Sequence, residues 1–523
     1  TYSCKKVLAD EYNGATFHIE EGEYEIDESW RALRYINEEL VTLIFRGGYD
    51  KETHKRDLVN SKTEFTNKHG NNILDVDYDD GCSDMDITFD GIGFVNANMS
   101  SSKNNAAFYS YCANGNVSIT IKNCHFTGNT HVTDDDGSNG AALLIFSVKN
   151  VTIENTVFAN NEAVCAPAIT IADTKATITN CRFENNEATQ NAGVVYVNSG
   201  AKPTFNDCVF TGNKALKWGM VQHQSGTTTL NDCIFTKNTT DDEWDGGAIA
   251  VCENSSGNVV INGGEISENH AGWGAAFYQD ILGGSKVATI YANDVLIKDN
   301  SSAGSGAIWA NGVTELTRCV LDGNTAGGTG TSDATALVVA KGANMSLHGC
   351  TVQNHKADQK NCNTIIIRDK ASLYIGPDSN GNRSLIKDNS AQFGGAIRVA
   401  QSGSNTDAST LDVEATTFEG NTGQYGGAII AYGPSDVNLY NGVVFKENYS
   451  SKGNGGAILF ESKGTLTCNR CHFQSNRAYN VGGAIRVDNS SAKIYLNATT
   501  FKGNYHDGDP AGTTIQIHQA NTF

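Results

Sequence analysis

Two short motifs, F-x-x-N and G-G-A-I, follow one another in unchanging order from about residue 120 to the end of the chain, and no other feature limits the fold so strongly. In residues 416–432, TTFEGNTGQYGGAIIAY, Phe418 and Asn421 precede Gly426, Gly427, Ala428 and Ile429. The next copies place Phe445, Asn448 and GGAI at 455–458, then Phe473, Asn476 and GGAI at 482–485. Toward the N-terminus the first motif, or an aliphatic version of it, falls at Phe126/Asn129, Phe158/Asn161, Phe183/Asn186, Phe210/Asn213, Phe235/Asn238, Ile266/Asn269, Ile297/Asn300, Leu321/Asn324 and Ile386/Asn389; a last copy is Phe501/Asn504.

A self-similar period of roughly 24 to 34 residues, made of short β-rich runs and Gly/Asn turns, specifies a solenoid with one coil per repeat. Windows such as AIRV at 396–399 and ATIT at 176–179 alternate in polarity, and no helical stripe persists across a repeat. The expected coil stacks Phe on Phe at the inter-strand spacing of about 4.8 Å. Asn is expected to occupy a turn, because it tolerates left-handed backbone and its amide bonds to neighbouring backbone groups. The glycines admit a tight corner, after which Ala-Ile re-enters the core. The predicted fold is all-β: a single-stranded parallel β-helix of roughly fourteen to sixteen coils, a rod on the order of 70 Å long, whose right hand is what the resemblance below implies.

The paired GGA(I/L/V) and FxxN repeats resemble those of the polymorphic outer membrane proteins of chlamydiae and their bacterial relatives. That resemblance implies a right-handed β-helix passenger domain acting as a surface adhesin. Nothing after Phe501 matches the C-terminal membrane barrel that such a family would use for export. Residues 512–518, GTTIQIH, read as one more G-G-A-I strand, so the chain is expected either to continue past Phe523 or to dock a partner there, with end-to-end assembly as one route.

A formal charge of −20 disfavours phosphate backbones and anionic lipid heads, so neither nucleic acid nor a membrane surface is an expected partner. No apolar run of about 18 residues is present, hence no transmembrane helix is predicted. The setting expected is extracellular or cell-surface. Of the 14 cysteines, Cys124, Cys181, Cys208, Cys233, Cys319, Cys350 and Cys471 stand two residues before the Phe position and share its inward face. They are expected to be packed free thiols, since neighbouring coils hold Cβ atoms farther apart than a disulfide allows. For Cys4, Cys82, Cys112, Cys165, Cys252, Cys362 and Cys468 the sequence assigns no partners.

Residues 1–95 lack a clean repeat and read as an N-terminal cap with irregular first coils, and residues 96–523 as the β-helix proper. Within the cap, a strand is expected over 15–26 and another over 41–45. Between them Asp27, Glu28 and Ser29 offer a helix N-cap, and Trp30, Leu33, Ile36 and Leu40 a helical stripe to cover the open core. Near 325–380 the pattern loosens, with Val352 and His355 in the Phe and Asn positions.

Acidic clusters at Asp75/Asp77/Asp79/Asp80, at Asp134–Asp136, and at Asp241, Asp242, Glu243 and Asp245 are solvated loops or Ca²⁺ ligands; no other cofactor is indicated. The outward position after G-G-A-I, from Leu144 through Tyr278, Trp309, Arg398 and Arg486 to Gln516, holds no acid, which argues against a polysaccharide lyase or hydrolase. Aromatic residues gather in the middle coils. Trp218, Trp244 and Trp273 come at or just before the Gly pair, Tyr278 and Trp309 lie outward, and with Asp241 and Asp242 they form the candidate ligand site, suited to sugar stacking or a protein hot spot. The competing reading is that these rings fold back over the coil corners. The function expected is adhesion or recognition of a host or neighbouring-cell glycan or protein. A carbohydrate-active lyase or hydrolase and a filament subunit are the alternatives.

Overall fold

The computed structural model describes residues 13–26, 30–31, 41–78, 85–100, 106–112, 116–132, 140–190, 193–243, 245–279, 288–327, 333–357, 362–400, 408–508 and 514–517. The described residues form β-strands and turns with no helix among them. They divide into two units, residues 1–244 with 248–260 and residues 245–247 with 261–523, and each is a parallel β-helix.

In the first unit a coil is visible in Lys175–Thr179, Arg182–Glu184, Glu187–Ala188 and Val195–Asn198. Each strand pairs in parallel with its counterpart one coil on, so that Ile178 faces Phe205, Phe183 faces Phe210, Ala188 faces Ala215 and Val195 faces Val221. Because the pairing is in register, like side chains stack. Ring centres of Phe126, Phe158, Phe183, Phe210 and Phe235 follow one another at 4.9, 5.1, 4.3 and 4.4 Å, with the ring planes nearly parallel. Parallel pairing already begins in the N-terminal segment, where Ala15–Glu20 pairs with Val41–Tyr49, which pairs with Met85–Asp90. Of the stretch expected to be a helix, Trp30–Arg31 is instead a short strand paired with Leu74 and Asp75; residues 27–29 and 32–40 lie outside the described residues.

The second unit repeats the plan with aliphatic residues in its early coils. Ile266, Ile297, Leu321, Val352 and Ile386 occupy the column that Phe418, Phe445, Phe473 and Phe501 then continue at 4.9, 4.8 and 5.0 Å. Val352 and His355 do hold the Phe and Asn positions of the loosened stretch.

The repeat asparagines play a different part from the one the sequence suggests. The left-handed corner belongs to the residue before each of them, such as Asn160, Asn185, Glu447 and Ser475, with φ between 52° and 56°, or to Gly128 and Gly420. The repeat Asn is buried in a ladder. Asn448 donates from Nδ2 to the Phe418 carbonyl at 3.0 Å and to Asn476 Oδ1 at 2.9 Å, and from its backbone N to the same Oδ1. Its own Oδ1 accepts the equivalent pair from Asn421. Every polar atom of a buried amide is thereby satisfied, which removes its desolvation penalty. This burial also removes Asn238, Asn300 and Asn448 as glycosylation acceptors, although each heads an N-x-S/T triplet.

The two glycines of G-G-A-I are required for separate reasons. Gly426 sits at φ 67°, where a Cβ is strained, whereas a Cβ on Gly427 would lie 1.9 Å from the Gly456 carbonyl oxygen of the next coil. Cysteines two before the Phe position are buried free thiols, as expected. Each donates to the carbonyl two residues back and to one on an earlier coil, as Cys124 does to Lys122 and Phe89 at 3.2 and 3.6 Å. Thr156, Ser384 and Thr416 stand at the same position; Thr156 and Thr416 donate to the carbonyl two residues back, and Ser384 to that of Gly376. Cys468, unassigned from the sequence, is also buried and free, in register with Leu439 and Leu496, and Cys112 is disulfide-bonded.

Candidate functional site

The residues singled out from the sequence fall in both units. In the first, Asp241 and Asp242 are exposed in a turn where the Asp241 carboxylate accepts the Glu243 backbone N–H at 2.9 Å. Trp218 is half-buried at φ 66°, and Trp244 lies outside the described residues. Among the described residues no three His, Cys, Asp or Glu side chains converge as a metal site, and Asp134–Asp136 are not among those described. A small cleft lies beside Thr63, Gly91 and His125. There His125 meets Glu64 at 3.1 Å. Nearby Asp90 is pushed up by burial, yet hydrogen bonds from Arg56 and Asn123 outweigh this and hold its carboxyl below the usual range. Arg46, Arg56 and Lys122 all stand within ion-pair reach of this carboxylate.

In the second unit, Trp273 pairs with Ser305 and its indole covers Gly304, so close that a Cβ there would lie 2.5 Å from Nε1. This is the fold-back over a coil corner. Tyr278 and Trp309 do lie side by side in register on the outward face of their strands. Tyr278, however, is only 5% exposed, which corrects the expectation of an open ring. Trp309 packs on Val338 and Ile366, and the Arg368 guanidinium stands 5.6 Å from its ring centre. Its indole Nε1 is buried with no hydrogen-bond partner.

The outward face continues past the residues picked from sequence. In register after Trp309 come Val338, Ile366, Arg398, Ile430, Leu459 and Arg486. Val338, Ile366, Ile430 and Leu459 are at most 1% exposed, so the position called outward is a dry floor rather than a solvated surface. Two residues further along the strands lies a second outward column containing Arg368, Tyr432, Glu461 and Asp488.

Around Arg398 these columns make one cluster. Its guanidinium lies 4.7 Å from the Phe393 ring centre and 5.4 Å from that of Tyr432, and Phe393 stacks on Tyr425 at 6.0 Å. Burial lowers the Arg398 pKa and raises that of the Tyr432 hydroxyl. Glu461, in register with Tyr432, is half-buried; burial first, then the Asp488 charge, push its carboxyl above the usual range against the pull of Arg486. Arg486 is ion-paired with Asp488, which also accepts from Asn454 at 3.4 Å. Such a face offers aromatic rings for stacking, guanidinium N–H donors for hydroxyl or carboxylate oxygens, and a half-buried acid. Sequence reasoning stopped at the first outward column. Stepping two residues along the same strands would have reached Tyr432, Glu461 and Asp488.

Comparison with known proteins bears on the fold. The family description of a right-handed β-helix region matches residues 67–235 and 111–295. The coils are therefore right-handed, as the resemblance implied. Among solved structures, the chain is similar to a tailspike protein mutant of E. coli bacteriophage HK620 in complex with a pentasaccharide. Identity is 12%, with 95% of this chain and 74% of that chain covered, at a TM-score of 0.21. No curated protein matches.

Proposed function

We propose that this protein is an extracellular, cell-surface recognition protein of the adhesin kind, and that its ligand is a glycan held on the outward face of the second unit. The observation that carries this reading is the placement of Arg398 between Phe393 and Tyr432 on adjoining coils. Sugars are recognised by ring stacking against aromatic faces together with charge-assisted donors to their oxygens, and rigid strands hold both at fixed spacing. Trp309 and Arg368, with the buried Nε1–H still unpartnered, extend the same chemistry along the face. A net charge of −20 leaves nucleic acid an unsuitable partner.

The test is a glycan array probed with the wild-type chain and with Arg398→Ala and Tyr432→Ala. Each substitution is expected to weaken binding about tenfold or more, the loss of one buried anchor, while the far-UV circular dichroism spectrum is unchanged. Binding untouched by both, but abolished by Trp218→Ala with Trp273→Ala, would move the site to the coil corners.

A further inference from the structure

The recognition reading leaves two carboxylates of this face without a role. Glu461 sits one coil on from Tyr432, and the Asp488 backbone N–H donates to the Phe460 carbonyl at 2.9 Å, which sets Asp488 one coil on from Glu461. We infer that the Tyr432–Asp488 end of the face is a retaining glycoside hydrolase site, with Glu461 as general acid and base and Asp488 as nucleophile, acting on the glycan whose binding is proposed above and so resting on that reading.

The spacing favours a retaining enzyme. The backbones of like positions on neighbouring parallel strands stand about 4.8 Å apart, and Glu461 and Asp488 leave theirs on the same face, which brings their carboxyl groups nearer the closer of two spacings. Retaining glycosidases hold their two carboxyl groups about 5–5.5 Å apart, and inverting ones roughly 6.5–9.5 Å. The two carboxylates also have unlike surroundings, as their roles require. Glu461 is half-buried above the Leu459 side of the floor, and no donor among the described residues bonds to its carboxyl, so the protonated form is favoured. Asp488 is tied to Arg486 and Asn454, which fixes its direction. Arg486 has a side chain only 9% exposed, and its Nε–H has no partner. An unsatisfied buried donor beside two carboxylates is costly by itself and useful against a sugar oxygen.

In the first step the Glu461 carboxylic acid gives its proton to the glycosidic oxygen. The bond from that oxygen to C1 breaks with its electron pair on the leaving oxygen, and an Asp488 oxygen bonds to C1 as a glycosyl ester. In the second step the Glu461 carboxylate takes a proton from water, and the water oxygen bonds to C1. The ester bond breaks, restoring the Asp488 carboxylate and the Glu461 acid. Phe393, Tyr425 and Arg398 would hold the sugar on the adjoining coils.

The experiment measures binding and release of reducing ends together, with the full chain and xylan, polygalacturonate, hyaluronate and chitin oligosaccharides as probes, between pH 4 and pH 8. At least one polymer is expected to bind and be cleaved, with the rate falling as pH rises and Glu461 loses its proton. Glu461→Gln should lower the rate about 10²–10⁴-fold while leaving binding of that polymer and the thermal transition unchanged. Asp488→Asn should do the same, and provides a second readout if one variant is unstable. Binding without cleavage at any pH would overturn the hydrolase and leave recognition standing. Cleavage that survives both substitutions would overturn the residue assignment, and neither binding nor cleavage would overturn both readings.

Discussion

Asn448 shows how one repeated residue type sets the fold. Its side chain donates twice and accepts twice within the ladder, so its identity is fixed by both amide nitrogen and amide oxygen. Aspartate has the same shape but no donor when ionised. Asn448→Asp would remove the Nδ2 donor to the Phe418 carbonyl and to Asn476 Oδ1, leave that oxygen only the backbone N–H of residue 448, and bury a charge beside both. A loss of several kcal/mol at pH 7 is expected, on the order of two lost buried hydrogen bonds plus the desolvation of a carboxylate. Chemical denaturation of the variant at pH 4 and pH 7 checks this, because protonation restores one donor and should recover part of the loss.

His355 fills one rung of the same ladder. Its Nδ1–H donates to Asn389 Oδ1 at 3.1 Å, and Nε2 faces Asn324 Nδ2 at 3.3 Å as acceptor. Only the neutral ring can do both.

At the level of strands and columns, stability is distributed coil by coil. Phe445 is fully buried between Phe418 and Phe473. Phe445→Ala should cost about 3–5 kcal/mol, because the flanking rings are held at strand spacing and cannot close the cavity. Repeat coils couple mainly to their neighbours, so hydrogen exchange should quicken in about two coils to either side and stay unchanged elsewhere. Uniform loss along the unit would contradict that picture. The cysteine column belongs to the same argument. Burial pushes the Cys124 thiol up to about 12, so it stays neutral as a small hydrophobe that also closes a carbonyl, the work Thr and Ser do elsewhere in the column.

For the whole molecule, histidines buried as neutral rings contribute to the loss of stability in acid. Burial lowers both His223, in the first unit, and His355, in the second, to about 4. An unfolded His binds a proton below about pH 6.5, and these folded ones do not until about pH 4. Their contribution is therefore fully present above pH 6.5 and lost as pH falls toward 4, on the order of 3 kcal/mol for each. Thermal unfolding followed from pH 7.5 to pH 4 should show the transition falling with pH. His355→Asn, which keeps an amide in the ladder, should flatten that fall; an unchanged slope would locate the acid sensitivity elsewhere.

The repeat alone determined the parallel β-helix, the inward column of Phe and aliphatic residues and the buried cysteines, because a period of one coil and an alternation of two leave a side chain few places to go. The sequence also located every repeat asparagine while misreading its purpose. A ladder of amides forms only when coils stack in register, and one coil considered by itself shows only a turn. The strand at Trp30–Arg31 is a further case, since its partner Leu74 is distant in the chain and a helical stripe is the local signal. Tertiary structure likewise decided which outward positions are covered and which are open. Tyr278 and Ile430 are both outward by alternation, yet both are buried. Glu461 acquires its raised pKa only from burial and from Asp488 on another coil. Alternation gives direction locally, but burial and electrostatic environment depend on what the following coils bring over the same face.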